Sequence, residues 1–177
     1  MKLLGISGAL IGTKTAVAVN EVLTQASQHP HIETELLDLK DYKVEFVDGR
    51  SFDAYNEDTR TVINKILQAD FFVIATPVYQ SSLTGALKNL FDHLPTTVFE
   101  GKVVGYVSTA GSNLHMLVAE NQLRPILSYF KAHVATRNVF VSNECFNKEN
   151  VIENDDVKQR LADLAEELVV LHTKLNG

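Results

Sequence analysis

"FFVIATPVYQSSLTGALKNLFDHLP", residues 71 to 95, changes character twice. Phe71 to Ala75 is an unbroken apolar run, the pattern of a strand buried on both faces. Leu83, Ala86, Leu87, Leu90, Phe91 and Leu94 then recur at helical spacing, and Pro95 closes that pattern. Between the two stand Pro77, Tyr79 and the small polar residues Gln80, Ser81 and Ser82. A buried strand that runs almost directly into an amphipathic helix implies further strands and helices in alternation.

The rest of the chain supplies them. Lys2 to Ile6 reads as a first strand, and residues 14 to 28 as a helix with Val17, Val22, Leu23 and Ala26 inward. "IETELLDL", residues 32 to 39, is a second strand. Residues 40 to 56 keep no steady period and contain Asp48-Gly49, which makes them a long loop. Residues 59 to 69 form a helix striped by Val62, Ile63, Ile66 and Leu67. A fourth strand spans 102 to 109, with "AGSN" as its turn. Residues 115 to 131 are helical, although Pro125 should bend or split them. "NVFVS", 138 to 142, is a fifth strand. Glu153, Asp155 and Asp156 suit the positive start of a last helix running to about Leu175.

Strands separated by helices form a parallel sheet covered on both faces, and right-handed crossovers leave few topologies. Five strands in a chain of 177 residues fit a flavodoxin-like three-layer α/β sandwich of strand order 2-1-3-4-5. There is no linker or repeat, so residues 1–177 are expected to be one domain. Such a fold places its ligand outside the carboxyl ends of strands 1 and 3. The loops there are "SGALIGTKT", residues 7 to 15, and "TPVYQSS", residues 76 to 82.

Composition removes several classes of function. A net charge of −6 argues against nucleic-acid binding, which needs a basic surface. No apolar run is long enough to span a membrane, and the glycines of "MKLLGISGALIG" break what would otherwise resemble a secretory signal. Cys145 is the only cysteine, which fits a reducing cytoplasm. His29 and His31 flank Pro30 in a loop and read as solvated side chains, so no metal site is expected.

The crevice loops carry the chemistry. Gly8 and Gly12 let the first loop turn its N–H groups inward, while Thr13, Lys14 and Thr15 add donors and a positive charge at a helix start. Those are the components of a phosphate site. They equally fit an ordinary helix cap by Thr13. Gly8 to Thr15 almost spells the G-x-x-x-x-G-K-T nucleotide loop, but no neighbouring strand ends in the metal-binding Asp such a hydrolase needs. In the second loop Pro77, Val78 and Tyr79 offer a flat apolar wall, with Gln80 and Ser81 beside it for hydrogen bonds. A phosphate site next to such a wall suits FMN.

Pro77, Tyr79, Ser82, Gly85, Leu87, Lys88, Asn89 and Asp92 match P-x-Y-x-x-S-x-x-G-x-L-K-N-x-x-D, and this stretch resembles the signature of NADPH-dependent FMN reductases. The first loop, "VVGYVSTAGS" at 103 to 112 and "LRPILSYFKA" at 123 to 132 are similar in kind and order. The resemblance implies non-covalent FMN and electron transfer from NADPH or NADH to a small flavin, quinone or azo acceptor. It implies that Thr13, Lys14 and Thr15, with the Gly8 and Ala9 backbone, hold the phosphate. Pro77, Val78, Tyr79, Gln80 and Ser81 line one side of the ring. Thr109, Ala110, Gly111 and Ser112, as the turn after strand 4, flank the other. Backbone N–H groups around Val78 to Gln80 stabilise charge on the reduced ring, and no acid–base side chain is required; His115 reads as a surface residue. The family's phosphate loop carries Ser and Arg where this chain has Ala9 and Ile11, which leaves Lys14 to supply the charge and FMN less tightly held. A homodimer or homotetramer is implied through the helix bearing Lys88 and Asp92. A flavodoxin-type carrier and a flavin-less scaffold share the fold and remain open.

Overall fold

The computed structural model describes residues 1–176. Its strands are β1 (Lys2–Ser7), β2 (Glu33–Asp38), β3 (Phe71–Pro77), β4 (Val103–Ala110), β5 (His133–Val134) and β6 (Val139–Ser142). The helices are α1 (Lys14–Ala26), α2 (Glu57–Leu67), α3 (Gly85–His93), α4 (Val118–Tyr129) and α5 (Asp155–Asn176). The strands form one parallel sheet of order β2-β1-β3-β4-β5, with β6 also paired to β4. This is the flavodoxin-like order, with one addition. The edge position expected of a single strand at 138 to 142 is shared: His133–Val134 pairs with Val103–Val104, and Val139–Ser142 pairs with Val107–Ala110.

The apolar strands explain the layers. Alternate residues of β1, β3 and β4 face opposite sides, so each fully apolar strand feeds two cores. Leu3, Phe71, Val73, Val103 and Val107 pack with α1 and α5. Leu4, Ile6, Phe72, Ile74 and Val104 pack with α2, α3 and α4. Each fully buried side chain of this size contributes about 1.5–3 kcal/mol. Gly5 is small because α1 crosses it closely: a Cβ there would lie 2.4 Å from Val19 Cγ1.

Three sequence expectations need correction. Pro125 lies inside one helix, α4, so of the bend or split expected there the split does not occur. That helix begins at Val118, and His115 ends a separate short 3₁₀ turn, Asn113–His115. Ser7, Thr76, Pro77 and Ala110, read as loop residues, are the last residues of their strands, and Thr76 and Pro77 continue the register with Ser108 and Thr109 of β4. No described helix is long and apolar enough to cross a membrane. The long segment 40–56 is indeed mostly loop, interrupted by 3₁₀ turns at Leu39–Asp41 and Phe52–Ala54.

Candidate active site

At the carboxyl edge of the sheet, the loops after β1, β3, β4 and β6 enclose an open cleft of about 240 Å³. Gly12 to Thr15 form one wall, Pro77 to Tyr79 another, and Thr109 to Gly111 a third. Thus the two stretches expected to face each other do so.

Helix α1 opens into this cleft without a cap. Thr13 precedes it at φ −128° and ψ −17°, and its side chain accepts nothing from the first turn. Its hydroxyl instead accepts a hydrogen bond from Asn150 Nδ2 at 3.1 Å. The first helical bond runs from Val17 N to Thr13 O, so the N–H groups of Lys14, Thr15 and Ala16 have no acceptor among the described residues. The reading of Thr13 as an ordinary cap therefore fails. Uncapped N–H groups at the positive end of a helix form an anion site.

Side chains hold that end in place. Lys14 Nζ donates to Asn143 Oδ1 at 3.2 Å and sits 5.2 Å from the centre of the Phe146 ring. Thr15 Oγ1 and Thr109 Oγ1 share a buried hydrogen bond of 2.8 Å, which ties α1 to the end of β4. Asn143 and Asn150 both line the cleft, and sequence reasoning missed both. The available signal was topological: "SNECFNKEN", residues 142 to 150, leaves β6 at the same edge of the sheet as the other crevice loops.

The Tyr79 loop is a tight hairpin. Tyr79 and Ser82 exchange backbone hydrogen bonds of 3.0 and 3.1 Å around Gln80 and Ser81, which have φ of 49° and 63°. Two consecutive left-handed residues make a type I′ turn, which usually takes Gly or Asn. Here it is clamped from outside by Gln122 of α4. Gln122 Oε1 accepts from Ser82 Oγ at 2.7 Å, and Gln122 Nε2 donates to the Ser81 carbonyl at 3.1 Å. Backbone strain retained by surrounding bonds is common at functional sites.

Several expected site residues have other work. Gly8 N–H donates to the Ala75 carbonyl at 2.7 Å, and Gly8 O accepts from Thr84 Oγ1 at 2.6 Å, so its polar groups are turned into the scaffold. Ala9 is buried outside the cleft lining. Val78 N–H donates to the Thr109 carbonyl, and Tyr79 N–H to Ser82. The outward N–H groups of this loop are those of Gln80 and Ser81, which are exposed beyond the cleft lining. Ser112 stands on a neighbouring shelf, where its Oγ accepts from Leu114 N at 3.2 Å. Of the signature's own residues, Asn89 bonds Val47 N–H and the Glu45 carbonyl, pinning the long loop to α3.

The sequence pattern described as NADPH-dependent FMN reductase matches residues 1–147, which include all three cleft walls. The chain belongs to that family. It is 49% identical over its whole length to an NAD(P)H-dependent FAD/FMN reductase of Geobacillus thermodenitrificans, covering 96% of that protein. An oxidoreductase structure from Corynebacterium diphtheriae matches 98% of both chains with a TM-score of 0.80 and 26% identity. A flavodoxin from the Archaea matches 100% of both chains at a TM-score of 0.68 and 8% identity, which shows the fold alone.

The residues present fit the family's flavin. Uncapped amides and Lys14 suit a phosphate, while Ala110 and Gly111 leave room beside a ring. Ser7 Oγ, at the end of β1, is buried without a partner among the described residues and lies outside the cleft lining. Ile11 and Tyr79, 78% and 45% exposed, present apolar surface in the cleft lining.

Proposed function

We propose that this chain binds FMN in the cleft and catalyses electron transfer from NADPH or NADH to a small acceptor of the flavin, quinone or azo type. The uncapped start of α1 carries the reading, because it presents converging donors and a cation next to an apolar wall. FMN supplies the hydride and single-electron chemistry when bound.

The chain's own residues bind and orient. Lys14 Nζ and the amides of Lys14, Thr15 and Ala16 hold the phosphate, and Thr13 Oγ1 stays fixed by Asn150. Pro77, Val78 and Tyr79 support the ring on one side, and the rigid I′ turn fixes their position. The N–H groups of Gln80 and Ser81 offer hydrogen bonds to the edge of the ring that gains charge. Thr109, Ala110 and Gly111 keep the opposite side narrow in side chain, which gives a nicotinamide room to approach. Hydride transfer needs reacting atoms about 3–3.5 Å apart, so this access decides between reductase and carrier.

The oligomer belongs to the same proposal. Phe91, Leu94, Pro125, Ile126, Tyr129 and Phe130 line an apolar groove of about 480 Å³ between α3 and α4, with Lys88 and Asp92 at its rim. A second copy covering it makes a homodimer or homotetramer, and light scattering at micromolar concentration tests this. The unpaired Cys145 suits a cytoplasmic, reducing setting.

Anaerobic mixing decides the activity. FMN-loaded protein is expected to bleach with NADPH or NADH and to recolour when a quinone or oxygen is admitted. Bound flavin that stays yellow with both nucleotides but bleaches with dithionite would leave a carrier instead.

A further inference from the structure

Beside the cleft lies an open shelf of about 670 Å³ between the loop after β4 and the loop after β6. It is lined by Gly111, Ser112, Asn113, Leu114, Asn143 and Glu144. Gly111 and Asn143 belong to both cavities, so the shelf continues the cleft beyond its small-residue wall. Leu114, 92% exposed, offers an uncovered apolar side chain there.

Glu144 is the only charged residue of the shelf lining. Its Oε1 accepts from Asn113 Nδ2 at 2.9 Å and from Ser142 Oγ at 3.2 Å, which fixes the carboxylate between the two loops. Its Oε2 accepts no bond among the described residues. Neither cavity lining contains an arginine, and the one lysine, Lys14, stands at the start of α1 with its ammonium on Asn143.

We infer that this shelf receives the adenosine ribose of the reduced dinucleotide, and that Glu144 makes the chain select NADH over NADPH. The inference rests on the reductase reading above. A nicotinamide placed beside Ala110 and Gly111 must direct the rest of the dinucleotide out of the cleft, and the shelf is the cavity joined to that wall. A fixed carboxylate with a free oxygen accepts hydrogen bonds from the vicinal hydroxyls of the adenosine ribose, whereas the 2′-phosphate that NADPH carries on that ribose brings like charge against it. Discrimination by repulsion needs no contact specific to NADH beyond those hydroxyls.

The test is steady-state turnover of FMN-loaded protein with each nucleotide, for wild type, Glu144→Gln and Glu144→Arg. Wild type is expected to favour NADH by at least about tenfold in kcat/KM, the effect of one like-charge contact near the surface. Glu144→Gln keeps the shape and is expected to shrink that ratio, chiefly through the KM for NADPH. Glu144→Arg is expected to reverse it. Wild type favouring NADPH, or a ratio unmoved by either substitution, would overturn the assignment while leaving the reductase intact. Failure of both nucleotides to bleach flavin that dithionite does bleach would overturn both readings together.

Discussion

The two ends of the same sheet are built oppositely. At the amino edge, backbone and side chains close on one another: Lys2 N–H donates to Asp70 Oδ2 at 2.7 Å, and Asp70 N–H returns to the Lys2 carbonyl at 3.0 Å. The terminal amine donates to the His31 carbonyl, and Lys102 Nζ to the Ala69 carbonyl. His172 stacks on Phe71 with ring centres 4.4 Å apart. At the carboxyl edge, α1 starts uncapped and a buried Ser7 hydroxyl lacks a partner among the described residues. Left-handed non-glycine residues do not separate the edges, since His31 and Lys131 lie at the amino one and Gln80, Ser81 and Asn150 at the carboxyl one. Both ends are joined to the same strands, so packing alone does not explain the contrast. Polar groups left open cost stability, and they persist where a ligand completes them.

The contrast breaks most visibly if the open donors are removed. Lys14→Ala is expected to weaken FMN binding by about 1.5–3 kcal/mol, as one charged hydrogen bond is lost while the backbone amides stay. Flavin fluorescence titration measures it, and the chain has no Trp to interfere. Next in size is Gln122→Ala, which releases the strained turn. Loss of its bonds is expected to weaken FMN binding by about 1–2 kcal/mol, with riboflavin affected equally because the turn faces the ring and not the phosphate.

The amino edge gives a different, pH-dependent response. Burial holds the His172 imidazole below its ordinary value, with the N-terminal amine adding to the shift and Asp70 opposing it. Above about pH 6.5 the imidazole is neutral folded or unfolded, and its contribution to stability is fully present. Below that pH the unfolded chain takes the proton first, so stability falls as pH drops toward the lower folded value. Thermal unfolding between pH 5 and 8 should show this slope, and His172→Phe should flatten it. The smallest effect belongs to Lys88→Ala. Its pair with Asp92 is a half-exposed i,i+4 contact at 2.5 Å, so its loss within one subunit is expected to cost only about 0.3 kcal/mol in urea unfolding.

What could be read from sequence follows from how local each signal is. Strand order followed from apolar runs alternating with helical stripes, because both periods are written in consecutive residues. The divided edge is not legible in the sequence because His133–Val134 spans two residues and carries no period. At the site, Lys14 and Thr15 were legible because a loop meets a helix there. Gly8 looks like a phosphate contact in the sequence, but the Ala75 carbonyl holds its N–H, a pairing set by the β1–β3 register. Asn143, Asn150 and Gln122 act across 129, 137 and 41 positions of sequence, and no local pattern announces such contacts. The signature is itself largely scaffold: Asn89 anchors a loop, and Lys88 pairs with Asp92.

The central claim is that the uncapped start of α1 is a phosphate site. Parallel titration of the unmutated apo-protein with FMN and with riboflavin tests it most directly, since the two ligands differ only in that group. FMN is expected to bind tighter by about a hundredfold, the equivalent of roughly 2.7 kcal/mol of charge-assisted hydrogen bonding. Equal affinity for the two would contradict the claim.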